Sequence, residues 1–476
     1  MVTRRKVGLA LGMLAALHVS ASRAQERPLV LEGVTLVDLV DGGVRRVPGA
    51  TLVIEDGRIA RSGPTVQVRQ SVENPSLDQM YVLPGLADMH VHIWDEAELG
   101  AYLAHGVTTV RNMSGMPFHL ELAERIENGT LVGPRLLTTG PILNSAGPNA
   151  QINHQLVETA AEAKAAVTAQ AEAGFARLKV YSNLRPEPYE AIVEEARKHG
   201  LAISGHTPEG PRAAGVPFEK PFAISFEDVL DDGFETIEHS ESILWHGLGD
   251  RMDETAARAL ARRIAAAGVT VTPTLLAHHN LLRVAESDGA FARRPEAATL
   301  NPVEQQTETD YIAAWAARDA EAHIDKDRFI GTLTRLMAEE GVPLVTGSDA
   351  GIFSNPPGIS LIEELELLVR AGLTPAQAMA AATREVAHLL GEDGRGGCVD
   401  VGCAADLVIY SCDPTERITC ARTPHAVIRQ GRLFDRAALD TMLEQARHHD
   451  VERTLRNLTE GMAAQGTPID PVALGF

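Results

Sequence analysis

Positive charge is scarce in this sequence. Lysine and arginine number 43 against 64 aspartates and glutamates, for a formal net charge of -21. Nucleic-acid binding needs clustered Lys and Arg to neutralise phosphates, so the balance argues against nucleic acid as a partner. The same deficit argues against docking on an anionic membrane surface. Cysteine is nearly absent: only Cys398, Cys403, Cys412 and Cys420 occur, all within one C-terminal stretch. Beyond the first residues no run is long and apolar enough to span a bilayer. No internal repeat and no low-complexity tract interrupts the chain.

What is present begins with a leader. "MVTRRKVGLALGMLAALHVSASRAQE" opens on Arg4, Arg5 and Lys6, continues through an apolar stretch from Val7, and offers Ser22 and Ala24 as small residues at a cleavage site. This reads as a signal peptide over residues 1–24 and predicts a soluble periplasmic or secreted protein. No cysteine follows it, so a lipoprotein anchor is not expected. "TRRK" loosely resembles a twin-arginine signal, with Val7 where a Phe is usual, and the export route stays open. In an oxidising compartment an even cysteine count invites disulfides. Of the three pairings, the local ones are expected: Cys398–Cys403, bracketing the turn "CVDVGC", and Cys412–Cys420. A zinc knuckle would need other spacings and a neighbouring histidine.

The 476 residues fit a large barrel with an accessory domain. Residues 25–84 and 396–435 read as short strands separated by Gly and Asp turns, and together suggest one small β-sandwich built from both ends of the chain. Between them, over 85–395, strands alternate with Ala- and Glu-rich helices. The strands expected are 86–93, 107–113, 134–140, 176–182, 201–207, 235–241, 269–276 and 343–350. Such βα alternation predicts an α/β fold, a (β/α)8 TIM barrel. Helices 160–174 and 189–200 each end on a glycine suited to a left-handed cap. Long connections at 141–156, 208–234 and 277–328 read as lids or specificity loops, and residues 436–476 as a tail that starts helical.

Polar residues recur at the C-terminal ends of these strands, where barrel active sites lie. The first carries His90 and His92, alternate residues on one face. The fourth carries Lys179, the fifth ends in His206, the sixth in His239 and the eighth in Asp349. Four histidines and a carboxylate are nitrogen and oxygen ligands suited to zinc and similar divalent ions. His105, His199 and His425 lie elsewhere and read as structural. A lysine near the end of a core strand is unusual, because lysine is seldom buried without a partner.

The series "YVLPGLADMHVH", "HGVTTVRN", "LKVY", "GHT", "IEHSE" and "LVTGSDAG" resembles, in order and context, the amidohydrolase superfamily. "ELELLVRAGLTPAQAMAAATREVAHLLG" followed by "AADLVIY" is similar to the helix and return strand leading into that family's split β-sandwich. The likeness covers nearly all of the chain beyond the leader. It is nearest the imidazolonepropionase-like branch, which includes Xaa-Pro dipeptidase-like metal-dependent enzymes.

The resemblance implies a binuclear site. One divalent ion, zinc by family habit, would take His90, His92 and Asp349, and a second His206 and His239. Carbamylated Lys179 and a hydroxide would bridge them, and Asp349 would move the proton. It also implies hydrolysis of an amide in a dipeptide (Xaa-Pro-like) or an N-acyl amino acid. Tyr181, His154, His278 and His279 are candidate substrate contacts. Arg111 could bind a substrate carboxylate or a nearby acid. Asn112 stands where relatives carry "TTVRD", which removes whatever contact that Asp makes. Two other readings stay open: a cyclic amide, lactone or phosphoester hydrolase on the same metals, and a metal-bearing binding protein without turnover. The expected partner is a small molecule; homo-oligomerisation is left open.

Overall fold

The computed structural model describes residues 28–66, 77, 79–213, 215–470 and 472. The signal peptide expected at 1–24 lies outside them. Among the described residues no helix is long and apolar enough to cross a membrane.

Both ends of the chain meet in a seven-stranded sheet, ordered Arg432–Asp435, Ala426–Arg429, Leu407–Tyr410, Tyr81–Pro84, Leu29–Val40, Gly43–Glu55, Arg58–Gly63. All neighbours pair antiparallel except Leu29–Val40 with Tyr81–Pro84. Side chains alternate faces along a strand, and here the alternation separates two cores. Leu36, Val82, Leu407, Ile409 and Ile428 pack within the β domain. Their neighbours Val37, Leu83, Val408, Tyr410 and Val427 pack into the main core of the barrel. The β domain is thus docked by its second face. Disulfides join Cys398 to Cys403 and Cys412 to Cys420 in this region.

The (β/α)8 barrel starts with parallel strands Leu86–Val91, Val107–Asn112 and Arg135–Thr138. It continues through Arg177–Val180, Ala202–Gly205, Phe234–Glu238 and Thr270–Thr272. The Gly140 amide donates to the Arg177 carbonyl (2.8 Å) and spans the join between the two runs. The eighth position departs from expectation. Residues 343–350 form no continuous strand; they close the barrel through bridges Val271↔Leu344 and Val91↔Ala350. The Asp349 amide donates to the His90 carbonyl at 2.8 Å.

Several expected strands run too long. The sixth stops at Glu238 and the seventh at Thr272, because His239 and Thr274 turn the chain with positive φ (67° and 46°). His206, His239 and Asp349 therefore sit just past strand ends, on the loops. The 141–156 connection is not a bare loop: Ile142–Asn144 and His154–Leu156 pair in parallel and extend the sheet from Arg177–Val180. Helix Ala160–Ala173 is opened by a capping box of Thr159 and Glu162 and closed by Gly174 at φ 100°. The tail forms helices Arg436–Gln445 and Val451–Ala464.

Candidate metal centre

His90 and His92 leave the first strand on one face, as their spacing requires. Each presents Nε2 to Asp349 Oδ1, at 3.2 and 3.1 Å. Among the described residues these three form the one group whose ligand atoms all lie within 4.8 Å of one another. Beside them the rings of His206 and His239 are 4.3 Å apart, and His239 is 4.6 Å from His90. Lys179 Nζ lies 3.3 Å from His90 Nε2, and its charge acts on both His206 and His239. The barrel topology thus brings all six residues together.

The outward nitrogens are held. His90 Nδ1 meets Glu238 at 2.7 Å, His92 Nδ1 meets Ser114 Oγ at 3.0 Å, and His239 Nδ1 meets Thr274 Oγ1 at 2.6 Å. Such partners fix the ring and its tautomer and leave Nε2 for an ion. Positive φ at His239, Thr274 and Asp349 (67°, 46° and 55°) is local strain of about 1–3 kcal/mol per residue. β-branched Thr274 tolerates that region least. In return its hydroxyl reaches His239. Gly205 allows the approach before His206: a Cβ there would sit 2.2 Å from the Val180 carbonyl oxygen.

Burial sets the charges. It depresses the imidazolium of His90 and His206 well below the usual range, and that of His239 to about 4. The neutral rings that result are the ligating form. It also lowers the Lys179 ammonium from 10.5 to about 8, against the pull of Glu238 and Asp349. Burial works against ionised Glu238 too, but Arg111 and His90 outweigh it and hold the carboxyl below its ordinary range.

Do these residues suit metal ions? His206 Nδ1 and His239 Nε2 are buried with no hydrogen-bond partner among the described residues. An orphaned polar atom in an interior is costly, and here two neutral imidazoles present theirs close together beside a carboxylate and a lysine. The donor set fits a pair of divalent cations. The His-His-Asp group accounts for metal binding by one; the second set is taken up below.

Arg111 corrects an expectation. It is fully buried below the site and its donors are taken by Met89 O, Ser204, Thr236, Glu235 and Glu238. Of the two partners considered, it has the nearby acid and cannot reach a substrate carboxylate. His278 and His279 stand in the first turn of helix Leu275–Glu286 and both direct Nδ1 at Asp327 (3.2 and 3.0 Å). The Tyr181 ring is tilted against those of both His206 (centroids 4.0 Å apart) and His154 (4.6 Å), so these two do border the centre. Glu238, Ser114 and Thr274 were not foreseen. Nor was Asp88, which accepts from the Ser348 amide (3.0 Å) and hydroxyl (2.5 Å) and ties the first strand to the Asp349 segment. Asn112 accepts from the Ile93 amide (2.9 Å) and donates to Thr138 (3.1 Å), a structural role at the end of the second strand.

Known proteins align with this arrangement. The model of the Amidohydrolase family matches residues 81–434. An ochratoxinase of Aspergillus niger is 23% identical, covering 89% of this chain and 92% of its own. An imidazolonepropionase of Symbiobacterium thermophilum is 25% identical, covering 80% and 91% respectively. Among solved structures, a bottromycin amidohydrolase superposes with a TM-score of 0.69 at 25% identity, over 89% of this chain and 91% of that one. With the barrel, the β domain and the His-His-Asp group in place, the chain belongs to the amidohydrolase family and is a hydrolase of carbon–nitrogen bonds.

Proposed function

We propose that this is an exported hydrolase that cleaves the amide of a dipeptide, Xaa-Pro-like, or of an N-acyl amino acid, at a centre of two zinc ions. One observation carries the two-ion reading. Lys179 is 1% exposed, and among the described residues no carboxylate lies at ion-pair distance from its Nζ. A lysine buried merely for structure would have such a partner. Instead it meets a ligand histidine, His90, at 3.3 Å, with its amine made easier to deprotonate by burial.

The neutral amine adds to CO2: a bond forms from Nζ to carbon, one proton leaves, and a carbamate with a single negative charge remains. His90, His92 and Asp349 would hold one ion and His206 and His239 the other, and the carbamate on Lys179 would add a carboxylate-type ligand to both. Bound there, the cations would polarise the scissile carbonyl and acidify the attacking water. Asp349, within 3.2 Å of two imidazoles, takes a proton from that water and returns it to the departing amine nitrogen.

His154 supports the acyl-amino-acid substrate class. The Gln151 amide donates to its Nδ1 at 3.3 Å, so the proton of the neutral ring is on Nε2. Burial, with Lys179 and His92 nearby, keeps the ring neutral, its pKa lowered to about 3. The Nε2–H is buried against Tyr181 without an acceptor among the described residues. It is a preset donor for a carbonyl or carboxylate oxygen of the substrate.

The test is a panel of dipeptides and N-acyl amino acids on protein prepared with zinc and bicarbonate. Amide turnover with two metals per chain is expected. Turnover of esters, lactones or phosphoesters but no amide would replace the substrate class; a chain that takes up no stoichiometric metal would remove the reading. Recovery of the processed chain from the periplasm or medium tests export.

A further inference from the structure

The C-terminal helix Val451–Ala464 belongs to none of the barrel's βα units, yet it lies across the mouth. Its amphipathic face places Leu458 and Met462 in a small core with Trp94, Met116 and Val303. Those three come from the loops after the first strand, the second strand and the seventh. Gly461 is what permits the approach to the second loop, since a Cβ there would lie 2.6 Å from Met116 Sδ. Polar contacts repeat the pattern. Arg453 grips Asp95 through both oxygens (2.5 and 2.6 Å) and Glu96 at 3.0 Å. Asn301 donates to both Glu98 and Thr454 (3.2 and 3.1 Å). Gln465 donates to the Asn153 carbonyl at 3.1 Å, on the loop that carries His154.

The centre of this set is Trp94, two residues past His92. Its indole stacks on the His92 ring (interplanar angle 16°, centroids 6.2 Å apart) and donates to the Gly351 carbonyl at 3.1 Å, two residues past Asp349. Gly351 is pressed so near the same strand that a Cβ would stand 1.9 Å from the His92 carbonyl oxygen. Trp94 therefore ties together the two segments that bring His92 and Asp349 into one group. What fixes Trp94 from above is the tail helix: Asn457 donates to its carbonyl (3.3 Å), Leu458 and Met462 pack on it, and Arg453 immobilises the adjoining Asp95.

We infer that the C-terminal helix is a working part of the metal centre, with Arg453 a positioning residue that acts through Asp95 and Trp94 on His92 and Asp349. The buried geometry explains the effort. Asp95 is wholly buried, and a desolvated carboxylate is tolerated only when paired. The Arg453 contact is thus not an ordinary surface ion pair worth little. It holds the first loop down in one conformation, and the ligands below inherit that order.

The inference rests on the proposed metal centre, and the experiment separates the two. Arg453→Met and Arg453→Lys are compared with Arg447→Ala, which removes an exposed pair with Glu444 from the same tail. The readouts are kcat and KM, the rate at which a chelator strips zinc, and thermal stability. Arg453→Met is expected to lose about tenfold in kcat and to release metal about tenfold faster, the low end for outer partners of metal ligands. KM should change less than about twofold, since this loss concerns ligand order rather than ground-state binding. Arg453→Lys should recover part of both losses, and Arg447→Ala should match the parent. Equal kcat and stripping rates in Arg453→Met and parent overturn the inference, as does a loss that follows the unfolded fraction alone. Should Arg453→Met fail to fold, Asn457→Ala is read in its place with the same expected directions. A parent protein without metal or turnover would instead overturn the metal-centre reading.

Discussion

Replacing Lys179 by Met keeps the length and most of the volume of the side chain but removes the amine. In metal-stripped, CO2-free protein the native lysine is a burden. Its ammonium is depressed from 10.5 to about 8, chiefly by burial. At about 1.4 kcal/mol for each unit of pH, the folded state below pH 8 bears about 3 kcal/mol for keeping that proton or giving it up. The sign follows from proton counts. The unfolded amine stays protonated up to 10.5, the folded one only to about 8. Between these limits the unfolded state binds more protons, so stability of the parent rises with pH across that window. Lys179→Met lacks the group and the rise. Urea unfolding of both stripped proteins at pH 7, 8, 9, 10 and 11 isolates the effect, because other titrations cancel in the difference. The variant should be more stable by about 3 kcal/mol at pH 7, with the advantage fading towards zero near pH 10.5. The same variant should bind less than two zinc ions and lose turnover, and added bicarbonate should speed reactivation of the parent only. A stripped Lys179→Met protein less stable than the parent at pH 7, or an advantage constant with pH, would refute the reasoning. Either would mean the amine is satisfied in the folded protein and not poised for carbamate formation.

Asp349→Asn is expected to lower kcat by about 10²-fold or more, the scale of a lost general acid–base group; steady-state rates check it, and unchanged hydrolysis would remove the proton role. Glu238→Gln leaves the 2.7 Å contact to His90 as a neutral one and leaves Arg111 with Glu235 as its one remaining ion-pair partner among the described residues. Zinc affinity should fall about 10–100-fold, as read by chelator competition. His154→Phe fills the ring's place without the Nε2 donor. KM for acyl amino acids should rise about tenfold with kcat little changed, since one hydrogen bond to a charged or carbonyl oxygen is worth about 1.5 kcal/mol.

The ligands were legible because each is a residue type rare at a strand end. His90 and His92 alternate, and His206, His239, Lys179 and Asp349 recur at the same phase of successive units. Their supporting groups were not. Glu238, Ser114 and Thr274 are common residue types, and each meets its histidine from another βα unit: Glu238 is 148 positions from His90, Ser114 is 22 from His92 and Thr274 is 35 from His239. No local pattern connects such pairs. The turns were also hidden. His239 looked like the last residue of a strand, but the chain reverses there with positive φ, a conformation that histidine does not announce. The 141–156 segment, with three Asn and two Pro, read as loop, yet two short strands within it pair because Arg177–Val180 offers them an open edge. Segment 343–350 erred the other way: Gly347 and Asp349 interrupt a sequence that otherwise alternates like a strand.

Arg111 shows why a single residue could be noticed and still misassigned. A basic residue at the end of a strand suggests a substrate carboxylate. In place it is one rung of a buried series: Arg177 to Glu235 (2.9 Å), Glu235 to Arg111 (3.0 Å), Arg111 to Glu238 (2.8 Å), Glu238 to His90 (2.7 Å). The series crosses from the fourth strand to the sixth, the second, back to the sixth and on to the first. As stabilisation it is poor, because desolvating charges offsets most of what their pairing returns. Hydrophobic residues of equal volume would hold the barrel at least as well. What they could not do is place a carboxylate against His90 Nδ1 with its orientation fixed from behind. The charges in the two Arg and two Glu balance, so the series adds no net charge beneath the ligands. It can fix a tautomer without itself attracting or repelling a cation. That separation of orientation from charge is what a site needs when its occupancy is to be set by the ligands alone.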